Sequence, residues 1–219
     1  MRINRKWSVL PVALLAMGTM AMAQNTTPEG QNSGTPSSST ATSKPDPTIG
    51  QRKENQQDRI ANGVQSGQLT SGETSNLESK ESAINGETRA DRAANGGKLT
   101  STEKTQIKKQ QNQVSKQIYQ DKHNANTAKY GNNAVGQRRE NQQDRIANGI
   151  RSGQLTAGET TKLENQQHAI TKQVSTDRAA NGGKLTTAEK TQVNHEQNKA
   201  SRNIHNKKHN AATQGSAKK

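Results

Sequence analysis

One block of 76 residues is written twice in this chain. Gly50 to Ala125 and Gly136 to Ala211 align without a gap at an offset of 86, with 47 of the 76 pairs identical. The runs GQRxENQQDRIANG, SGQLTxGET, DRAANGGKLT and KHNA recur intact. Repetition at this length implies one folding unit used twice, so any chemistry that matters is expected in both copies. That rule fixes an expected architecture and filters the motifs below. It names no reaction.

The N-terminus supplies an address. Arg2, Arg5 and Lys6 precede an apolar stretch from Trp7 to Met20, and Ala21-Met22-Ala23 places small residues at the A-x-A positions. This is the pattern of a secretory signal peptide over residues 1–23, cleaved after Ala23. The apolar run is short for a membrane span and contains Pro11, so no stable anchor is expected after cleavage. With no cysteine in the chain, neither a lipidated N-terminus nor a disulfide is available. The expectation is a periplasmic or extracellular protein of bacterial type.

Without that leader the net charge falls from +14 to +11, and the only tryptophan is lost. From Gln24 onward there are 20 Leu, Ile and Val in 196 residues, a composition so poor that regions must be judged separately. Gln24 to Thr48 holds none of them and is crowded with Ser, Thr, Asn, Gly and Pro. Residues 24–49 therefore read as a disordered tether, 127–135 as a linker between copies, and 212–219 as a frayed basic tail.

Within the copies, 50–126 and 136–211, the scarce aliphatics fall at helical intervals. Ile60 and Val64 are four apart; Ile107, Val114 and Ile118 step by seven and four, as do Leu163, Ile170 and Val174. Such spacing lines one narrow stripe of an α-helix, like a coiled-coil seam, and fits no alternating strand. Leu-Thr-x-x-Glu occurs four times, at Thr70/Glu73, Thr100/Glu103, Thr156/Glu159 and Thr186/Glu189. Each is a capping box, in which threonine and glutamate satisfy each other's orphan backbone donors, with the preceding leucine placed as a hydrophobic staple. Gly67, Gly97, Gly153 and Gly183 stand where a left-handed residue would close the preceding helix. The expected fold is all-α: two tandem three-helix repeats, with helices near 51–66, 71–95 and 101–124 and near 137–152, 157–181 and 187–210. The core is expected to be thin, so that pairing of the copies or self-association would support it.

The stretch Gly67-Gln68-Leu69-Thr70-Ser71-Gly72-Glu73 has glycine, aliphatic and glutamate at the spacing of positions 6, 8 and 12 of a calcium loop, and the next turn matches through Glu103. The chain thereby resembles a degenerate pair of EF-hands, written twice. The resemblance implies calcium binding, centred on Asn62/Ser66/Glu73 and Asn148/Ser152/Glu159. Against it, positions 1, 3 and 5 are Asn62, Val64 and Ser66 in one loop and Arg92, Ala94 and Gly96 in the next, which lack most of the oxygens calcium needs. The same Leu-Thr-x-x-Glu element is similar to the Leu-Thr-x-x-Gln signature of small periplasmic proteins of the Spy and CpxP type. That likeness implies a chaperone-like cradle for unfolded client proteins. A looser resemblance, to secreted bacterial helical repeat proteins ending in Lys-His-Asn, implies no activity.

His205 and His209 are four apart on one helix, a metal-pair spacing, but the equivalent of His205 in the first copy is Tyr119. No nucleophile, base and acid recur together, so a non-enzymatic chain without cofactor or metal is expected. Charge is the remaining lead. Copy one carries a net +3 and copy two +6, and Lys190 to Lys219 holds seven basic residues against Glu196 alone. A basic helical end attracts polyanions. Outside the cytoplasm these would be anionic envelope polymers, lipid headgroups or extracellular DNA, contacted through Lys199, Arg202, Lys207 and Lys208. The two alternatives are the chaperone-like stress protein and the degenerate calcium binder.

Overall fold

The computed structural model describes residues 47–215. The stretch expected to be a signal peptide, nearly all of the expected tether and the end of the basic tail lie outside them. Among the described residues there are six α-helices and no strand: α1 (Ile49–Gln65), α2 (Ser71–Ala94), α3 (Ser101–Lys122), α4 (Ala134–Arg151), α5 (Ala157–Ala180) and α6 (Thr187–Lys208). No helix among these residues is long and apolar enough to cross a membrane.

The start and stop signals act as the sequence implies. Thr70, Thr100, Thr156 and Thr186 each take the N-cap, and each accepts from the backbone N–H of Glu73, Glu103, Glu159 and Glu189 while that glutamate accepts from the cap's own N–H. The glycines that follow α1, α2, α4 and α5 are left-handed, with φ of 70° at Gly67 and 89° at Gly97. Leu69, Leu99, Leu155 and Leu185 are buried behind their caps. Two of these leucines explain two further glycines. A Cβ on Gly63 would stand 2.7 Å from the Leu69 side chain, and one on Gly149 would stand 2.6 Å from Leu155. The ANG run of each copy therefore ends in glycine because the staple leucine lies flat against that helix turn.

Three boundaries differ from the sequence reading. Thr48 is the N-cap of α1 in a capping box with Gln51, and Ile49 packs partly buried against the core, so the tether ends before residue 48. A glutamine at the third helical position serves as well as glutamate, and the Leu-Thr-x-x-Glu pattern misses it. The linker ends early as well: Asn133 caps α4, which begins at Ala134, and Val135 is buried. Finally, the segment up to residue 215 is docked. Gln214 donates its backbone N–H to Gly153 O at 2.9 Å and its side-chain amide to Gln57 at 2.9 Å, while Lys53 donates to Gly215 O at 2.6 Å. Ala128 makes the matching backbone bond to Gly67 O at 2.9 Å, 86 residues earlier.

In each half the three helices pack on one another, and the halves then join like to like, α2 on α5 and α1 on α4. The join is reciprocal: Gly72 faces His168, and its equivalent Gly158 faces Ser82, the equivalent of His168. Mutual exchange of this kind is the mark of an approximate twofold. One apolar cluster runs through both halves, from Ile60, Leu77 and Ile118 to Ile146, Leu163 and Ile204, and a smaller one lies under Val135, Ile170, Val174 and Val193.

So few aliphatics leave room that polar side chains fill. Gln56 donates to Gln111 O at 2.6 Å and its equivalent Gln142 to Gln197 O at 2.7 Å, tying α1 to α3 and α4 to α6. Gln111 and Gln197 return bonds to Ile49 O and Val135 O. A buried polar group is tolerated when bonded, each bond contributing about 0.5–1.5 kcal/mol net. The recurring Gln-Gln pair is therefore a core element.

Candidate functional site

The capping glutamates are engaged on both oxygens. Glu73 Oε2 accepts from Thr70 N at 2.9 Å and Thr70 Oγ1 at 2.7 Å, and Oε1 accepts from Asn124 at 2.8 Å and Asn126 at 3.2 Å. Glu159 repeats this with Thr156 and, at 2.6 Å, Asn210. Burial acts to raise both carboxyls, but these bonds outweigh it and hold them below the usual range. The KHNA motif thus carries the asparagine that locks the end of the third helix to the cap of the second. Asn95 and Asn181 reach the next caps in the same way, at 2.8 Å from Glu103 and Glu189. The glutamate at the twelfth position of each would-be calcium loop has its oxygens taken by the chain's own donors.

His205 stacks on His209 with ring centroids 4.2 Å apart, as Tyr119 stacks on His123, so that pair packs as rings. The four basic residues expected to meet an anion are not gathered. Lys199 and Arg202 are exposed on the open side of α6. Lys207 is half-buried and its charge acts on Glu159. Lys208 runs along α4 near Gly149, its ammonium pressed down first by burial and then by Arg145.

The structure gathers a different basic set. A pocket of about 350 Å³ lies where α5, the N-terminus of α2 and the linker meet, and Lys129, Arg139, His168 and Arg178 line it. Thr70, Ser71, Thr127, Thr171 and Ser175, with the apolar Ala128 and Val174, complete the wall, and no acidic side chain lines it. Arg139 anchors it. Only 6% exposed, its guanidinium donates to Thr171 Oγ1 at 2.7 Å and lies 5.4 Å from the centroid of the Tyr130 ring. Burial lowers its pKa most; Tyr130 acts to raise it, and the charge of Arg178 lowers it further. Tyr130 is pushed up by burial first and then by Glu164 beneath it.

The first half repeats the theme with different letters. Lys53 takes the place of Arg139, and Arg89 and Arg92, the latter equivalent to Arg178, press on its ammonium after burial does. Lys53 also lines a second pocket of about 200 Å³, which Glu54, Asp58, Arg151 and the docked residues Gln214 and Gly215 share. This one is mixed in charge, whereas the lining of the pocket at Arg139 holds no acid. No linear motif marks either pocket, because the residues come from three or four segments. The signal available in sequence was the paired basic positions 53/139 and 92/178.

Three carboxyls of α2 and α5 are enclosed by the fold. Glu78, Glu81 and Glu164 are all 0% exposed. Gln57 donates to Glu78 at 3.1 Å and Gln143 to its equivalent Glu164 at 2.9 Å. The sequence reading assigned these glutamates no role, since acids in a polar helix read as solvated.

Among the described residues, Tyr119 is the one large apolar side chain that is exposed. A scan against protein-family models finds no match, and neither curated proteins nor solved structures yield one. Fold and pocket together define an all-helical chain with a basic, acid-free recess at the junction of its two sequence-related halves.

Proposed function

We propose that this chain is a secreted, non-enzymatic helical binding module that grips anionic groups of envelope polymers, lipid headgroups or extracellular DNA. On this reading the sequence copies are two tandem three-helix repeats whose docking creates the binding site, and the leader over residues 1–23 delivers the chain outside the cytoplasm. The observation that carries the proposal is the pocket at Arg139, where four basic side chains and five Ser and Thr residues converge with no acid among them. Arginine forks suit planar two-point contact with phosphate, sulfate or carboxylate, and Arg139 is held by Thr171 and Tyr130 in one orientation before any ligand arrives. Lys199 and Arg202 add a diffuse basic face on α6 that steers a polymer without specifying it. Near-absence of aromatics speaks for recognition of charge over base stacking.

The test is retention of the whole chain on heparin, DNA and anionic-vesicle supports at rising salt. Electrostatic binding predicts a steep, linear fall of log affinity with log salt. Arg139→Gln with Arg178→Gln is expected to lose more affinity than Lys199→Gln with Arg202→Gln. Equal losses from the two pairs would dismiss the pocket, and salt-insensitive binding would dismiss the electrostatic mode.

A further inference from the structure

Oxygen is in surplus inside this protein. Ten buried side-chain polar atoms among the described residues have no hydrogen-bond partner, and every one is an oxygen. Four of them are carboxyl oxygens of α2 and α5: Oε1 of Glu78, both oxygens of Glu81, which lies toward Lys53 of α1, and Oε1 of Glu164. An ionised carboxylate only accepts, so it adds to that surplus; a protonated one supplies the missing O–H donor. Enclosing unpaired acceptors or charges is strongly unfavourable, and the charges of Glu81 and Glu164 add to the burial that raises Glu78.

We propose that the α2/α5 seam is a proton-linked latch: Glu78, Glu81 and Glu164 carry protons in the closed form, and their ionisation loosens the seam and with it the anion pocket built across it. The link to the pocket is structural. Its walls come from both halves, Thr70 and Ser71 at the start of α2 against Arg139, Thr171 and Arg178 of α4 and α5. The Gln143 amide spans the two, donating to Glu164 at 2.9 Å and to the Ser71 hydroxyl at 3.4 Å. Separation of α2 from α5 dismantles that wall. This rests on the anion-binding reading for its consequence, while the latch itself stands on the enclosed carboxyls.

The groups that face the trio are few. From α1, Gln57 bonds Glu78 and the Lys53 ammonium opposes Glu81; from α4, Gln143 bonds Glu164; from the linker, the Tyr130 ring, beside Arg139, lies within reach of Glu164. Burial dominates all three acids, raising Glu78 well above its ordinary value, Glu81 to about 7 and Glu164 to about 8. The sign follows. In the unfolded chain these carboxyls titrate near 4.5, so above that pH the folded form holds more protons, and stability is fully present below it and drains as pH rises toward 7 for Glu81 and 8 for Glu164. Each such carboxyl takes up to tenfold from the folding constant per pH unit inside its window.

The experiment measures urea unfolding of the whole chain at pH 5, 6, 7 and 8, with heparin oligosaccharide binding at pH 5.5 and 8.5. The wild type is expected to lose at least tenfold in folding constant per pH unit between pH 5 and 7, and to bind the oligosaccharide more weakly at pH 8.5. Glu78→Gln, Glu81→Gln and Glu164→Gln, which keep shape but cannot ionise, are expected to flatten the profile. Binding is compared in the wild type and in a His168→Gln background, which removes the imidazole from the pocket lining. A flat wild-type profile from pH 5 to 8 overturns the latch, whether or not the variants fold. A steep profile without oligosaccharide binding at either pH sustains the latch and removes the anion reading instead.

Discussion

Two glycine-to-alanine changes with opposite expected signs examine the packing account. Gly86 lies inside α2, and a Cβ built there meets nothing within 4 Å. Alanine at that position removes the conformational freedom of glycine and is expected to stabilise by about 0.5–1 kcal/mol. Gly149 lies inside α4, where the same propensity gain applies, but its Cβ would stand 2.6 Å from Leu155 Cδ1 and 2.7 Å from Cγ. Leu155 is 0% exposed and cannot swing away. Overpacking of this kind costs about 1–3 kcal/mol, so the net expectation is a loss of about 1–2 kcal/mol. In a described body of this size that is a fall of about 2–8 °C in melting temperature, against a rise of about 1–4 °C for Gly86→Ala. Urea and thermal unfolding followed by helical circular dichroism read both. Adding Leu155→Ala to Gly149→Ala is expected to relieve the clash, so the double change costs less than the sum of the singles. Stabilisation by Gly149→Ala equal to that of Gly86→Ala would refute the staple packing that this fold depends on.

The remaining expectations concern caps, calcium and the core ladder. Thr156→Ala removes the bond to Glu159 N and is expected to cost about 0.5–2 kcal/mol, read from the shift in urea midpoint at constant slope. Asn210→Ala frees Glu159 Oε1 from its 2.6 Å partner and is expected to lower stability with a rise in the Glu159 pKa, visible by carboxyl NMR titration. Calcium is expected to leave the melting temperature unmoved up to about millimolar concentration, the weak end for such loops, because Glu73 and Glu159 are already bonded; a rise abolished by Glu73→Gln would say otherwise. Gln142→Leu leaves Gln167 Nε2 without its 3.0 Å acceptor and is expected to destabilise by about 1–3 kcal/mol despite its greater hydrophobicity.

Helix number, type and ends were legible in the chain because they are local. A threonine three residues before glutamate and a left-handed glycine act within one turn, so helix ends fall within three residues of their expected positions. What was not legible involves distant partners. The Asn124 and Asn210 locks cross 51 residues to their glutamates, and the Gln56 and Gln142 ladders cross 55. Glutamines and glutamates in a polar helix read as solvated until a facing helix encloses them, which is why Glu78 and Glu164 drew no notice. The docked segment before residue 215 was read as frayed for the same reason, since its partners are Gln57 and Gly153. Charge counting directed attention to α6, where basic residues are dense in sequence; the pocket instead assembles Arg139, Arg178, His168 and Lys129 from α4, α5 and the linker.

The most direct measurement is calorimetric titration of the whole chain with a heparin oligosaccharide at pH 6 and about 50 mM salt, beside the Arg139→Gln, Arg178→Gln variant. The account predicts binding by the wild type that weakens many-fold at about 200 mM salt and is largely lost in the variant, with helical content unchanged. Undiminished binding by that variant, or no binding by the wild type at low salt, would contradict it.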